Sequence, residues 1–249
     1  MFFKDIYKPM ISDFDRKGKL SYEAILHILE NAGSNHSNLV NDNVVEGSQE
    51  GIAWILVDWR LDIISRSVSN EDIQVVTWVR GKAPSATVFR DYILTDKNGK
   101  ELVRAESKFA LLYIENGRLA RISKELFESY APEDKQVFNS KPSKLVELKE
   151  YIAEKYIAVR RSDIDFNGHV HNTRYIDFFM ESLPADVYQK YESADCLKIH
   201  IVYSKPIIEN DIVTGKYNVI ADDLSDCEKY SHCVNLYSGD KLCALIKLV

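Results

Sequence analysis

Apolar residues recur at helical spacing from Ser21 to Ala32, with Ala24, Ile25, Ile28, Leu29 and Ala32 on one face. Ser21 is placed to cap the start of this helix, and Gly33 is placed to follow its end. The pattern then changes period. Ile52 to Ile64, Ile73 to Val79, Val88 to Leu94 and Glu101 to Ile114 are rich in β-branched and aromatic residues. Asp96-Lys97-Asn98-Gly99 and Asn116-Gly117 are hairpin turn signals between and after them. A helix followed by long antiparallel strands is therefore predicted for the first half. The stretch from about Ser123 to Glu150 breaks this rhythm; it is polar, carries Pro132 and Pro142, and reads as a linker.

The second half repeats the order. Tyr156 to Arg160 is strand-like. A polar loop follows, then a helix with Tyr175, Ile176, Phe179, Met180 and Leu183 on one face, ended by Pro184. Strands are predicted at Leu197 to Tyr203, Ile212 to Ile220, Ser231 to Ser238 and Leu242 to Val249. Both helices are apolar over more than a narrow stripe, which predicts burial rather than a surface position. The layout is α+β, a sheet wrapping one apolar helix, twice over.

The two halves share more than element order. DFDRKGKLSYEAILHILEN begins at Asp13 and DIDFNGHVHNTRYIDFFMES at Asp163, 150 positions later. Asp13, Asp15 and Gly18 align with Asp163, Asp165 and Gly168, and an apolar helix follows in each copy. Such a repeat is the mark of two copies of one domain. The expected division is residues 1–130, a linker over 131–150, and residues 151–249.

Composition narrows the class. In 249 residues, 45% are hydrophobic and 28% charged, as in a globular protein. The net charge of −6 and the lack of a basic tract argue against a nucleic-acid partner. Lys141, Lys144, Lys149, Arg160 and Arg161 cluster in sequence and read as a solvated face. No run of 18 apolar residues predicts a membrane span, and MFFKDIYKPMISDFD lacks the apolar stretch and cleavage site of a signal peptide, so a cytoplasmic protein is expected. Cys196, Cys227, Cys233 and Cys243 form no Cys-x-x-Cys pair or zinc-like spacing and are expected to be free, mostly buried thiols.

Candidate chemistry concentrates in RRSDIDFNGHVHN, just before the second helix. A helix N-terminus offers unpaired N–H groups, suited to polarising a carbonyl whose oxygen becomes an oxyanion. Asn167 can orient a water or hold the carbonyl. His169 has a free pKa near neutrality and suits a general base. Asp165 can orient a partner as a carboxylate does for a catalytic imidazole. The same residue types also build tight turns and caps. The repeat separates the two roles: Lys17 and Lys19 stand where Asn167 and His169 do, so neither Asn nor His is needed for the turn, whereas Asp15 matches Asp165 and marks it as partly structural. His171 is placed to cap the helix, and Glu181 lies late in it. His200 alternates with Ile199 and Ile201 and is expected to face the other side of its strand. Trp54, Trp59 and Trp78 read as core. His27 and His36 show no partner in the sequence.

Nearly the whole chain resembles the acyl-acyl carrier protein thioesterases of plants and bacteria. The resemblance rests on KGKLSYEAILHILENAG, GIAWILVDWRLDI and VTWVRG in the first half and, more specifically, on RRSDIDFNGHVHNTRYIDFFMESLP in the second. It implies a tandem of two hotdog domains and hydrolysis of the thioester between a fatty acyl chain and the phosphopantetheine arm of acyl carrier protein. The family's Asp, Asn and His fall on Asp165, Asn167 and His169, and the first domain, including Trp54 to Trp59, is expected to wall the acyl chain. No metal or organic cofactor is implied. In the strand after the catalytic helix the family pattern is Tyr, two basic residues, then Glu, followed in plants by Cys. Here Tyr203-Ser204-Lys205-Pro206-Ile207 puts proline at the acid and isoleucine at the cysteine. A cysteine nucleophile is thereby excluded at that place, and water activated by His169 and positioned by Asn167 is expected, with Glu209 or Glu181 as candidate substitutes for the acid. An acyl-coenzyme A thioesterase and a non-catalytic acyl-binding tandem hotdog are the competing readings, and a hotdog dehydratase ranks below them. A chain carrying both halves is compatible with a monomer or a homodimer.

Overall fold

The computed structural model describes residues 1–43, 51–66, 71–81, 85–221 and 230–249. The chain divides into two units, Met1–Lys141 and Pro142–Val249.

In the first unit, helix α1 (Tyr22–Leu39) starts where Ser21 Oγ accepts the Ala24 N–H at 3.0 Å. Its apolar face, with Ile25, Leu26, Ile28, Leu29 and Ala32, is almost wholly buried. The helix runs past the end expected at Gly33. That glycine stands against the sheet: a Cβ there would come within 3.1 Å of Tyr92 Oη. Beyond it, the polar run continues the helix because His36 is buried and bonded to Arg90 Nη1 at 2.9 Å, while Ser37 Oγ accepts from Tyr130. Strands β1 (Phe3–Tyr7), β2 (Ile52–Ile63), β3 (Ile73–Val79), β4 (Thr87–Thr95) and β5 (Glu101–Tyr113) pair antiparallel in the order β1-β3-β4-β5-β2. Strand β1 and the short helix α2 (Lys124–Ser129) were not expected from the sequence. Residues beyond α2 stay on this unit: the Lys135 carbonyl accepts from Trp78 Nε1, and the Val137 N–H bonds Asp91.

The second unit repeats the plan. Strands β6 (Ala153–Ala158), β7 (Leu197–Tyr203), β8 (Ile212–Ala221), β9 (Tyr230–Ser238) and β10 (Lys241–Leu248) pair antiparallel in the order β6-β8-β9-β10-β7. Position for position this is the order of the first unit, so the repeat seen in sequence is a repeat of topology. Helix α3 (Tyr175–Ser182) lies against this sheet with Ile176 and Phe179 fully buried. Its close approach depends on Gly215, where any Cβ would collide with Ser182. Pro184 ends α3 and also caps a helix the sequence reading lacked, α4 (Ala185–Ser193). Trp59 and Trp78 are core, as expected; Trp54 is half-buried and donates to Asp42. His200 is buried like its strand neighbours Ile199 and Ile201. Cys233 and Cys243 are buried and Cys196 is exposed, all as free thiols; Cys227 lies outside the described residues. Among the described residues, no helix is long and apolar enough to cross a membrane.

Candidate active site

The loop before α3 is a tight hairpin built by one aspartate. Asp165 Oδ1 accepts the N–H groups of Asn167 (2.8 Å) and His169 (3.2 Å). The backbone closes the turn, with the Asp165 N–H donated to the His169 carbonyl and the Gly168 N–H to the Asp165 carbonyl. Gly168 has φ of 78°, a conformation that favours glycine. The first unit contains the same turn: Asp15 Oδ1 accepts from Lys17 and Lys19, and Gly18 has φ of 72°. A third copy joins β4 to β5, where Asp96 Oδ1 accepts from Asn98 and Lys100. Asp and Gly are thus what the turn requires. The third and fifth positions are free to vary, and only at Asp165 do they hold Asn and His together.

Asn167 and His169 are exposed, and neither side chain is hydrogen-bonded to a described residue. Both are available to a ligand. Asp165 reaches His169 through its backbone amide, not its imidazole, so its part is to build the loop that presents the ring. Its second oxygen, Oδ2, has no hydrogen-bond partner among the described residues. Asp15 differs there: its Oδ2 takes Arg66 Nη1 at 2.7 Å.

Beneath the hairpin lies a buried anchor that the sequence reading did not single out. Asp163 is 1% exposed and accepts from the Arg160 amide (2.8 Å) and guanidinium (2.7 Å), with Arg174 Nε at 3.7 Å. Burial pushes the Asp163 carboxyl up, but its bonds to Arg160 and the nearby Arg174 charge outweigh this and hold it below the usual carboxylate range. The recurrence of Asp13 at the equivalent place, where it accepts from the Met10 N–H and the Tyr7 hydroxyl, was the available signal. His171 caps not α3 itself but the single 3-10 turn, Asn172–Arg174, that leads into it: its Nδ1 lies 3.0 Å from Thr173 Oγ1 and accepts the Thr173 N–H. That amide is therefore engaged and not open to a carbonyl.

On the other side of the loop runs the segment after β7. The Ser204 and Lys205 N–H groups bond the Cys243 carbonyl, Pro206 is exposed, and Ile207 is fully buried. The Ile207 carbonyl accepts the Val170 N–H at 2.8 Å, and Ile208 bridges to His169. The two acids considered as substitutes are both surface groups in ion pairs: Glu209 with Arg161 (3.7 Å) and Glu181 with Lys155 (3.3 Å).

Comparison with known proteins gives this arrangement its class. Residues 1–130 match the acyl-ACP thioesterase N-terminal domain and residues 146–247 the acyl-ACP thioesterase C-terminal domain. The chain belongs to the acyl-ACP thioesterase family. It is 27% identical over 240 residues to oleoyl-acyl carrier protein thioesterase 2, chloroplastic, of Arabidopsis thaliana, an alignment covering 87% of this chain and 60% of that one. It is 27% identical over 185 residues to palmitoyl-acyl carrier protein thioesterase, chloroplastic, of Cuphea hookeriana, covering 69% of this chain and 44% of that one. The chain thus spans about half the length of the curated relatives it matches. Among solved structures, the 12:0-ACP thioesterase from Umbellularia californica superposes with a TM-score of 0.83 at 17% identity, covering 99% of this chain and 96% of that one. An acyl-ACP thioesterase from Bacteroides thetaiotaomicron gives 0.80 at 19% identity, covering 100% and 97%. At these identities the likeness establishes the fold, a tandem of hotdog units.

Proposed function

We propose that the chain hydrolyses acyl-acyl carrier protein to free fatty acid, with the chemistry on the second-unit hairpin. The observation that carries this reading is the turn itself: three copies share Asp and Gly, and only one presents an Asn and a His with unbonded side chains. Family membership supplies the substrate class. Asn167 positions a water or the thioester carbonyl. His169 takes the proton as the water oxygen attacks the carbonyl carbon. The C–S bond then breaks, and the imidazolium returns the proton to the departing pantetheine thiolate, leaving fatty acid and free thiol. Asp165 fixes the backbone amides of both residues. The first domain, residues 1–130, walls the acyl chain, residues 131–150 connect the domains, and residues 151–249 carry the catalytic loop. Carrier protein and acyl chain are the partners this chemistry needs, and the reading keeps the protein cytoplasmic, as a monomer or a homodimer.

The test is release of free fatty acid from a panel of acyl-carrier-protein thioesters by wild type and His169→Ala. Turnover that collapses in the variant supports the reading. A wild type that binds carrier protein but turns over no chain length would replace it with an acyl-binding role and point to Pro206 as the cause.

A further inference from the structure

We infer that the Tyr175 hydroxyl is a positioning group for His169, an inference that rests on the catalytic reading above. Tyr175 opens α3 and is 3% exposed. Its oxygen accepts the Ile207 N–H at 3.2 Å. The Ile207 carbonyl in turn takes the Val170 N–H, and Ile208 bridges to His169. Two hydrogen bonds therefore tie the helix to the post-β7 segment and that segment to Val170, next to His169, with the hydroxyl at the buried end. The ring is held from a second side: it stands edge-on to Tyr203 at 5.1 Å, and the Tyr203 hydroxyl donates to the Asn172 carbonyl at 3.0 Å.

The first unit shows what the hydroxyl replaces. There the Leu20 N–H bonds the Arg66 carbonyl as Val170 bonds Ile207, so Arg66 and Ile207 are equivalent. Arg66 anchors its own segment by donating from Nη1 to Asp15 Oδ2 (2.7 Å) and the Leu20 carbonyl (2.8 Å). The residue at the place of Tyr175 is Ile25, which has nothing to donate or accept. The second unit lacks the arginine, which leaves Asp165 Oδ2 unbonded, and gains a phenol on the helix. A neutral anchor thus stands where a cation would have sat beside the loop that carries His169. A sub-ångström shift of a general base is enough to slow a reaction severalfold to a hundredfold.

The experiment is Tyr175→Phe in the full chain, which keeps the ring and removes only the oxygen. Three readouts are taken: kcat and KM on an acyl-carrier-protein thioester, the pH titration of the His169 ring by NMR, and amide exchange at residues 164–171 and 204–211. The expected result is a kcat lowered about tenfold with KM within twofold, a displaced His169 titration and faster exchange in both segments. Unchanged His169 resonances and unchanged exchange would overturn the inference, as would equal acceleration of exchange across the whole second unit. Should the wild type prove inactive on every thioester, the catalytic reading fails by itself; the NMR and exchange results still decide whether Tyr175 positions His169.

Discussion

Arg66 reaches Asp15 with its Nη1 2.7 Å from Oδ2, while the equivalent Asp165 leaves that oxygen unbonded among the described residues. The two aspartates build the same turn through Oδ1 and differ only in this second contact. One unit has spent its carboxylate on an ion pair, and the other has kept it beside His169. The pair also fixes how each unit responds to losing its aspartate. Asp15→Ala removes the carboxylate that faces the Arg66 guanidinium, only 1% exposed, and is expected to cost about 3 kcal/mol. Asp165→Ala frees two amides on an exposed loop and is expected to cost about 1 kcal/mol. Urea melts of the two variants check the order; equal losses would mean that Arg66 gains little from Asp15.

His169→Gln and Asn167→Ala are expected to leave the melting temperature within about 2 °C of wild type, because both side chains are exposed and unbonded. Turnover of an acyl-carrier-protein thioester is expected to fall at least about a hundredfold for His169→Gln, the usual scale for a lost general base. Parallel thermal and kinetic measurements separate this from unfolding. An active His169→Gln enzyme would put the base elsewhere.

Much of this was legible in the sequence because the repeat exposed it. Nine strands and both central helices follow from hydrophobic period, and the boundaries predicted for the runs at Ile73 and Leu197 agree with β3 and β7. The rest failed for physical reasons. Gly33 reads as a stop, but it is a point of contact with Tyr92, and the polar residues after it are paid for by partners far away in sequence, Arg90 and Tyr130. Pro184 ends one helix and starts another, and the sequence signal for the two is the same. At the site, Asp165, Asn167 and His169 were visible as residues. Which groups hold them was not, because Tyr175, Ile207 and Arg66 act through contacts tens of residues distant.

A buried cation in the first unit makes a second stability test. Arg80 is held by Asp91 through two bonds (2.9 and 2.7 Å) and by Glu106 at 2.7 Å, and all three are largely buried. The Asp91 carboxylate also accepts the Val137 N–H, tying the segment after α2 to the sheet. Asp91→Ala leaves Arg80 with one partner and is expected to cost about 3–5 kcal/mol. It should also speed amide exchange at Val137 ahead of global unfolding. A variant losing less than about 1 kcal/mol would show that Glu106 alone satisfies the guanidinium.

His36 predicts how the fold responds to acid. Burial, the Arg90 charge and the N-terminal charge lower its pKa from 6.5 to about 3. It is fully buried, stacked on Phe3 and edge-on to Tyr130. Its Nδ1 faces Arg90 Nη1, which can only donate, so the neutral ring carries its proton on Nε2. Because the folded pKa lies below the unfolded one, the unfolded chain binds the extra proton first as pH falls. Stability is therefore full above about pH 6.5 and drains away toward about pH 3, by up to about 1.4 kcal/mol per pH unit. Asp163 is also depressed, and its contribution begins to be lost only as pH falls below about 5, so the interval from about pH 5 to 6.5 reads mainly the histidine. Chemical denaturation across that interval should show the slope in wild type and a flatter one in His36→Gln, whose amide oxygen can still accept from Arg90 and which cannot titrate. An identical slope in the variant would assign the acid sensitivity to other groups.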